Sequence, residues 1–525
     1  MHRRAALAGG LAALAAPRIG RGAETRPLRF IPQADLAVLD PVWTTSYQTR
    51  DHAFLVFDTL FGQDAAYAAQ PQMLEAAGPS SDGLSWDLRL RPGLRFHDGT
   101  PVLARDCVAS IRRWGTRDTF GQALLAATDE LLAPDDRTIT FRLSRPFPLL
   151  PDALAKTAPS PCCIMPERLA ATDAFKQVSE MVGSGPYRFL ADERVPGARV
   201  AYARFDAYMP REGGTPSRTA GPKRAGFDRV EWLVIPDAAT AGGALQTGEA
   251  DWWLAANPDL LPRLRADKRL VVRTQDPTGI IGTMRFNQLH PPFDNPAIRR
   301  AILGAVTQAD HMQAVSGPDP ALWADNVGYF CPGTPLASTA GMAAITRPRD
   351  LDRSRRELEA AGYKGERVAL LVPTDIPSTN ALAEVTADLF RRLGLNLDAQ
   401  TMDWGTAVQR RTSMEPASKG GWSVFQTSWS GLDHATPAGH PFLRGNGLKA
   451  APGWPSSPAL EALRDDWLRA DGLPAQQALA ERMQLQALQD VPYVPLGQQF
   501  QQMAHRAELA GIQPGLPVFW GVQRG

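Results

Sequence analysis

Catalytic signatures are what this chain of 525 residues most plainly lacks: it has no H-E-x-x-H, no P-loop, no S-x-x-K, and no G-x-S-x-G elbow around Ser184. Local motifs therefore give no support to an enzyme, although triads and carboxylate pairs assembled from distant positions leave no such trace. Lysine is scarce, supplying seven of the 56 basic residues. Because 55 acidic residues balance the total, no general attraction to nucleic acid follows. Only four cysteines occur, Cys107, Cys162, Cys163 and Cys331. The adjacent pair has no C-x-x-C spacing and no nearby histidine, so no zinc site is indicated and no cofactor is expected. No segment repeats at a fixed period.

The N-terminus carries Arg3 and Arg4, an Ala/Leu-rich run over 5–16, and small residues after it, which together read as an export signal over 1–23. Arg3-Arg4-Ala5-Ala6-Leu7 also resembles a twin-arginine pattern, so the secretory and twin-arginine routes both stay open. The run is too short to remain as a membrane span. No cysteine lies near the cleavage region, so a lipid anchor has no attachment point there. Removing 1–23 takes four arginines and no acid, and moves the formal charge from +1 to −3. In the oxidising compartment this implies, the four thiols allow three full pairings, among them a bridge from the 162–163 pair to Cys331.

Leu84, Trp86, Leu88 and Leu90 alternate with polar residues, Pro92-Gly93 turns the chain, and Leu94 and Phe96 resume the alternation up to Asp98-Gly99. With Ile139, Phe141 and Leu143 repeating the pattern, a small antiparallel sheet is expected early in the chain. Between 368 and 402 the pattern becomes strand, helix over 378–393 closed by Gly394, and strand, which implies parallel pairing in a separate α/β unit. The Gly-, Pro- and Arg-rich stretch 207–226 reads as an exposed loop.

Aromatic residues recur in loop-like settings: "DPVWTTSY" (40–47), "DWWLAANPD" (251–259), "MDWGTA" (402–407) and "TSWSGLDHATPAGHPF" (427–442). A Trp flanked by Gly, Ser, Thr and Asp lines a pocket or caps its own domain's core, and several together favour a pocket. Asp433, His434 and His440 fit no metal-ligand spacing, and Pro437, Gly439 and Pro441 mark an irregular loop, so loop-stabilising roles outweigh ligation. Asp433 alone, walled by aromatics, suits a cationic ligand group such as an amine; otherwise it opens an Asx turn.

The segment "LSWDLRLRPGLRFHDGTPVLARDCVASIRR" is similar to the signature of the family 5 extracellular solute-binding proteins of ABC importers, the dipeptide, oligopeptide and nickel binders. "GSGPYRF" (183–189), "GEAD" (248–251), "RFNQLHPPFDNPAIRRAI" (285–302) and "DVPYVPLG" (490–497) follow in that family's order and extend the resemblance over almost the whole mature chain. The resemblance implies an α/β, two-lobe periplasmic-binding-protein fold of cluster C type, with an extra domain inserted in the first lobe. Mapped here, the first lobe comprises 24–55, 165–275 and 490–525, the inserted antiparallel-sheet domain 56–164, and the second lobe 276–489.

It also implies a periplasmic monomer that captures a peptide or peptide-like solute and passes it to an inner-membrane ABC permease with its ATPase. Trp43, Tyr47, Trp253, Trp404, Trp429 and Asp433 are the expected ligand-binding residues, with Asp433 for the ligand's amine. The partner for a ligand carboxylate is unassigned. A nickel chelate, haem or another small metabolite on the same fold is the alternative ligand class, and a periplasmic enzyme or chaperone the alternative role. Two departures from the family pattern stand out: Leu103-Ala104-Arg105-Asp106 replaces its usual helix start, leaving Thr100 as the expected cap, and 430–442 lacks its acidic "D-x-D-N" run. The pair His97-Asp98 is then the end of a hairpin in the inserted domain.

Overall fold

A computed structural model describes residues 26–525; the expected export signal lies outside the described residues. Two large sheets organise the chain. The first has seven strands in the order Leu270–Thr274, Gln502–Arg506, Trp252–Trp253, Leu28–Ile31, Arg229–Leu233, Arg199–Arg204 and Tyr187–Phe189. Its central strand Leu28–Ile31 is parallel to both neighbours. The second has six, in the order Trp323–Ala324, Tyr493–Gln499, Ile280–Phe286, Val424–Ser430, Arg367–Pro373 and Asn396–Met402.

The expected parallel unit is present, with Arg367–Pro373 paired in register to Asn396–Met402 through the helix Pro377–Leu393. That helix turns Leu382, Ala383, Thr386, Ala387 and Phe390 inward at helical spacing. It ends on Gly394 in the left-handed region, where a Cβ is disfavoured.

A separate four-stranded antiparallel sheet contains Ser85–Leu90 and Thr138–Leu143. Trp86, Leu88 and Leu90 face inward with Ile139, Phe141 and Leu143, as the alternation requires. The helix Ala104–Arg117 joins the same apolar cluster through Cys107, Ile111 and Trp114. Thr100 does not cap it: its hydroxyl donates to Asp98 Oδ1 (2.6 Å), while Asp106 Oδ2 reaches back to accept from Leu103 N (2.8 Å). Acidic reach-back from the first turn replaces the expected threonine cap.

His97 holds the end of this hairpin to the Gly-rich segment 183–185. Its Nδ1 accepts from Gly183 N (3.4 Å), so Nε2–H donates to Gly185 O (3.0 Å), and the ring stands edge-on to Phe205. Burial lowers its pKa to about 4, which keeps it neutral. His97→Ala should cost about 1–3 kcal/mol of stability by leaving Gly185 O without its donor, with ligand affinity unchanged. Urea denaturation beside calorimetry checks this, and a large affinity loss at normal stability would restore a chemical role for the pair.

The chain crosses between the large sheets twice, at 275–279 and 500–501. Asp276 Oδ1 accepts from Thr278 N (2.9 Å) and Thr278 Oγ1 (2.7 Å) to form the first crossing. Gly279 has φ +55°, and a Cβ there would stand 2.4 Å from Gln499 O beside the second. The expected boundary at 490 needs correction. Tyr493–Gln499 is buried between Ile280–Phe286 and Trp323–Ala324 and belongs to the second sheet. Pro492 ends the preceding helix, but the chain returns to the first sheet only at Gln502.

Two further expectations differ from what is found. The four cysteines are buried free thiols, with Cys331 against Ile281 and Val327, so the bridge from the 162–163 pair to Cys331 is not formed. The stretch 207–226 is exposed only in part. Lys223 within it is fully buried, paired with Asp58 (2.7 Å) and set over the Trp520 ring (4.8 Å), because the apolar stem of a lysine packs well once its ammonium is matched.

Candidate ligand-binding cleft

Asp40 builds the first wall. Its Oδ1 accepts from Val42 N (2.9 Å) and its carbonyl from Trp43 N (3.2 Å), a turn that the fixed φ of Pro41 favours. This presents Trp43, half-buried, with the Arg117 guanidinium 5.3 Å from its ring centre. Four residues on, Tyr47 opens the helix Tyr47–Val56. The opposite wall is the strand Val424–Ser430, on which Phe425, Thr427 and Trp429 share one face by strand alternation. The chain then turns through Gly431, where a Cβ would lie 2.0 Å from Thr278 O, and so passes flush against the crossing. The turn Gly431–His434 brings Asp433 beneath Tyr47.

Tyr47 joins the walls: its hydroxyl donates to Asp433 Oδ2 (2.6 Å) and accepts from Ser430 N (2.7 Å). A second link runs from Thr119 Oγ1 to Ala438 O (3.1 Å). Beneath Tyr47, Arg50 lies 5.1 Å from its ring centre and pairs with Asp51 (2.8 Å). Burial raises the Asp433 carboxyl to about 6, against the opposing pull of the Tyr47 hydrogen bond and of Arg50. Among the described residues only Oδ2 is hydrogen-bonded, and Oδ1 has no partner.

Trp43, Arg117, Lys156, Trp429, Asp433 and Arg444 line one cavity of about 310 Å3. Its cations differ in commitment. Lys156 is held by Asp118, and Arg444 by Glu461 (3.0 Å). Among the described residues neither Lys449, which is exposed, nor Arg117 has an acidic partner; Arg117 rests between the rings of Trp43 and Phe175 and donates to Trp43 O (3.2 Å). A buried carboxylate and an unpaired guanidinium in one aromatic-walled space match a zwitterion.

His440 organises the loop beside it. Its Nδ1 accepts from Phe442 N (3.2 Å) and Leu443 N (3.0 Å), so Nε2–H donates toward Tyr329 O (2.9 Å) and the ring stays neutral. His434 Nδ1 lies 3.1 Å from Ser430 O, and burial lowers its pKa to about 4.

Of the six expected residues, Trp43, Tyr47, Trp429 and Asp433 come together. Trp253 does not. It is 5% exposed, in a strand flanked on both sides, and packs with Ile31, Leu245, Leu261 and Ala504. Trp404 does not either: it starts the helix Trp404–Arg410 and stacks on Phe425 (5.8 Å), beside Leu371, Trp422 and Trp454. Both indoles cap their own cores. Arg117 and Lys156 escaped sequence reading because no local feature marks them; only the folded chain sets them opposite Asp433.

Comparison with known proteins bears on the family and the fold. Residues 68–447 match the model for bacterial extracellular solute-binding proteins, family 5 Middle. The chain is 36% identical over 502 residues to the probable peptide ABC transporter periplasmic-binding protein y4tO of Sinorhizobium fredii, covering 93% of this chain and 92% of that one. Among solved structures, the binding protein AgaA of A. tumefaciens R10 in complex with agropinic acid superposes with a TM-score of 0.76 at 19% identity, covering 95% of this chain and 99% of that one. The periplasmic binding protein DppA of Helicobacter pylori in complex with the peptide STSA also gives a TM-score of 0.76 at 19% identity, over 95% and 98%. The two-lobe fold is thereby established.

Proposed function

Because this chain belongs to the bacterial extracellular solute-binding proteins of family 5, we propose that its cleft captures a peptide or peptide-like zwitterion for delivery to an ABC permease. The observation that carries this reading is the shared cavity, with Asp433 at one wall and the unpaired Arg117 at another. Asp433 Oδ1 takes the ligand's ammonium, Arg117 its carboxylate, and Trp43 and Trp429 cover its apolar surface, while Tyr47 orients Asp433 from the opposite wall. The 36%-identical relative whose name specifies peptide supports the ligand class.

The role is capture without turnover. Lobe closure is favoured by as much as the ligand's extra affinity for the closed form, and the closed monomer is the shape a permease recognises. Export to the periplasm by the N-terminal signal, without a nucleic-acid partner, completes the proposal.

A thermal-shift screen of a peptide library, followed by calorimetry, tests it, since any ligand that binds only the folded chain raises its melting temperature. Stabilisation by another solute class and by no peptide would defeat the peptide assignment.

A pH dependence follows. With the free Asp433 at about 6 and its ionised form required for an ammonium, affinity rises as pH increases through 6 and levels off above about 7. Below 6 it falls about tenfold per pH unit, with proton release on binding. Calorimetry of a peptide with neutral side chains between pH 5 and 8 reads this directly, and a flat profile would remove the ammonium from Asp433.

A further inference from the structure

A second chamber of about 290 Å3 adjoins the first, the two sharing Lys156, Ala158 and Gly439 in their walls. It lies between the inserted domain, which contributes Tyr67, Phe120 and Asp152, and the second lobe, which contributes Leu336, Leu432 and Trp467. These walls are largely aromatic and aliphatic, with room for a long side chain. Asp152, on the short helix Leu150–Leu154, is the one acidic residue among them.

Among the described residues Asp152 has no counter-charge. Lys156 follows it by four residues, but its Nζ is committed to Asp118 and to Pro159 O (2.7 Å). Arg218, stacked over the Tyr67 ring (4.6 Å), does not line the chamber. Apart from its own backbone N–H, no donor among the described residues reaches the Asp152 carboxyl, and burial raises it to about 6 with no cation there to offset that cost. A carboxylate held without a partner in such surroundings is destabilising. A ligand that brings the missing positive charge removes the penalty, and the aromatic walls add their own attraction for a cation.

We propose that this chamber is a side-chain subsite, and that Asp152 makes the protein select ligands carrying a guanidinium or ammonium side chain. The proposal rests on the peptide-capture reading and adds to it a second contact: the backbone ammonium on Asp433, the side-chain cation on Asp152.

Calorimetry on the full folded chain with two peptides that differ only in arginine against citrulline tests it, because citrulline keeps the shape and removes the charge. The arginine peptide should bind about tenfold tighter or more, as for a hydrogen bond to a charged group. In Asp152→Asn the arginine peptide should fall to the level of the citrulline peptide, whose own affinity stays unchanged. A thermal melt verifies folding, and the isosteric, uncharged amide should melt no lower than the parent.

Equal affinity of the two peptides for the parent protein, or a preference that survives in Asp152→Asn, overturns the subsite and leaves peptide capture standing. Binding of neither peptide, while another solute class stabilises the protein, overturns capture and the subsite with it.

Discussion

Asp433→Asn is expected to weaken binding of a free-amine peptide by about 2–5 kcal/mol, roughly thirtyfold to several thousandfold, while leaving the protein folded. The size follows from burial. Asp433 is 4% exposed, so the ligand's ammonium is stripped of water as it arrives and depends on the carboxylate for compensation. The fold is spared because the amide oxygen still accepts from Tyr47, and a neutral side chain avoids the desolvation that raises Asp433 to about 6. Stability should therefore hold or rise as affinity collapses. An N-acetylated version of the same peptide, having no ammonium, should bind parent and variant alike. Calorimetry on the four combinations checks the result, and a variant that keeps the parent affinity would show that the ligand's charge lies elsewhere.

The second large effect falls on stability. Arg113 extends from the helix Ala104–Arg117 to Asp40 and pairs in bidentate fashion, Nη1 to Oδ1 (3.1 Å) and Nη2 to Oδ2 (2.6 Å), with both side chains almost sealed from solvent. The same guanidinium donates to Thr172 O (3.1 Å) and Lys176 O (2.8 Å), and Asp40 Oδ2 also accepts from Val178 N (3.0 Å). This pair ties the inserted domain to the turn that presents Trp43. Arg113→Met leaves a buried carboxylate uncompensated and should cost about 3–5 kcal/mol. Adding Asp40→Asn should recover part of that loss, because the stranded charge goes with it. Urea denaturation of the two variants measures both, and a loss below about 1 kcal/mol for Arg113→Met would mean that the pair is not a main tie of this loop.

Sequence pattern reached regular elements better than the walls of the cleft. Alternation at 84–90 identified a half-buried strand because the small sheet has one dry face, and Gly394 closed its helix because few other residues accept that conformation. The boundary at 490 was misplaced because the double crossing depends on which sheet Tyr493–Gln499 joins, and a fully buried strand reads the same in either. In the cleft, Asp433 and Trp429 were legible because an acid and an indole among Gly, Ser and Pro have little local work to do. Trp253 carried the same signal and proved to be core, since its two-residue strand draws its neighbours from Leu28–Ile31 and Gln502–Arg506, far away in sequence. Arg117 and Asp152 left no mark at all. Each is defined by an ion-pair partner it lacks among the described residues, and that is visible only in the folded chain.

The position of a bound ligand's ammonium tests the assignment of Asp433 most directly. A crystal structure of the protein with a peptide selected by the thermal-shift screen is expected to show that ammonium within hydrogen-bond distance of Asp433 Oδ1 and the carboxylate facing Arg117, between Trp43 and Trp429. A peptide bound with its ammonium away from Asp433, or outside the cleft, would contradict it.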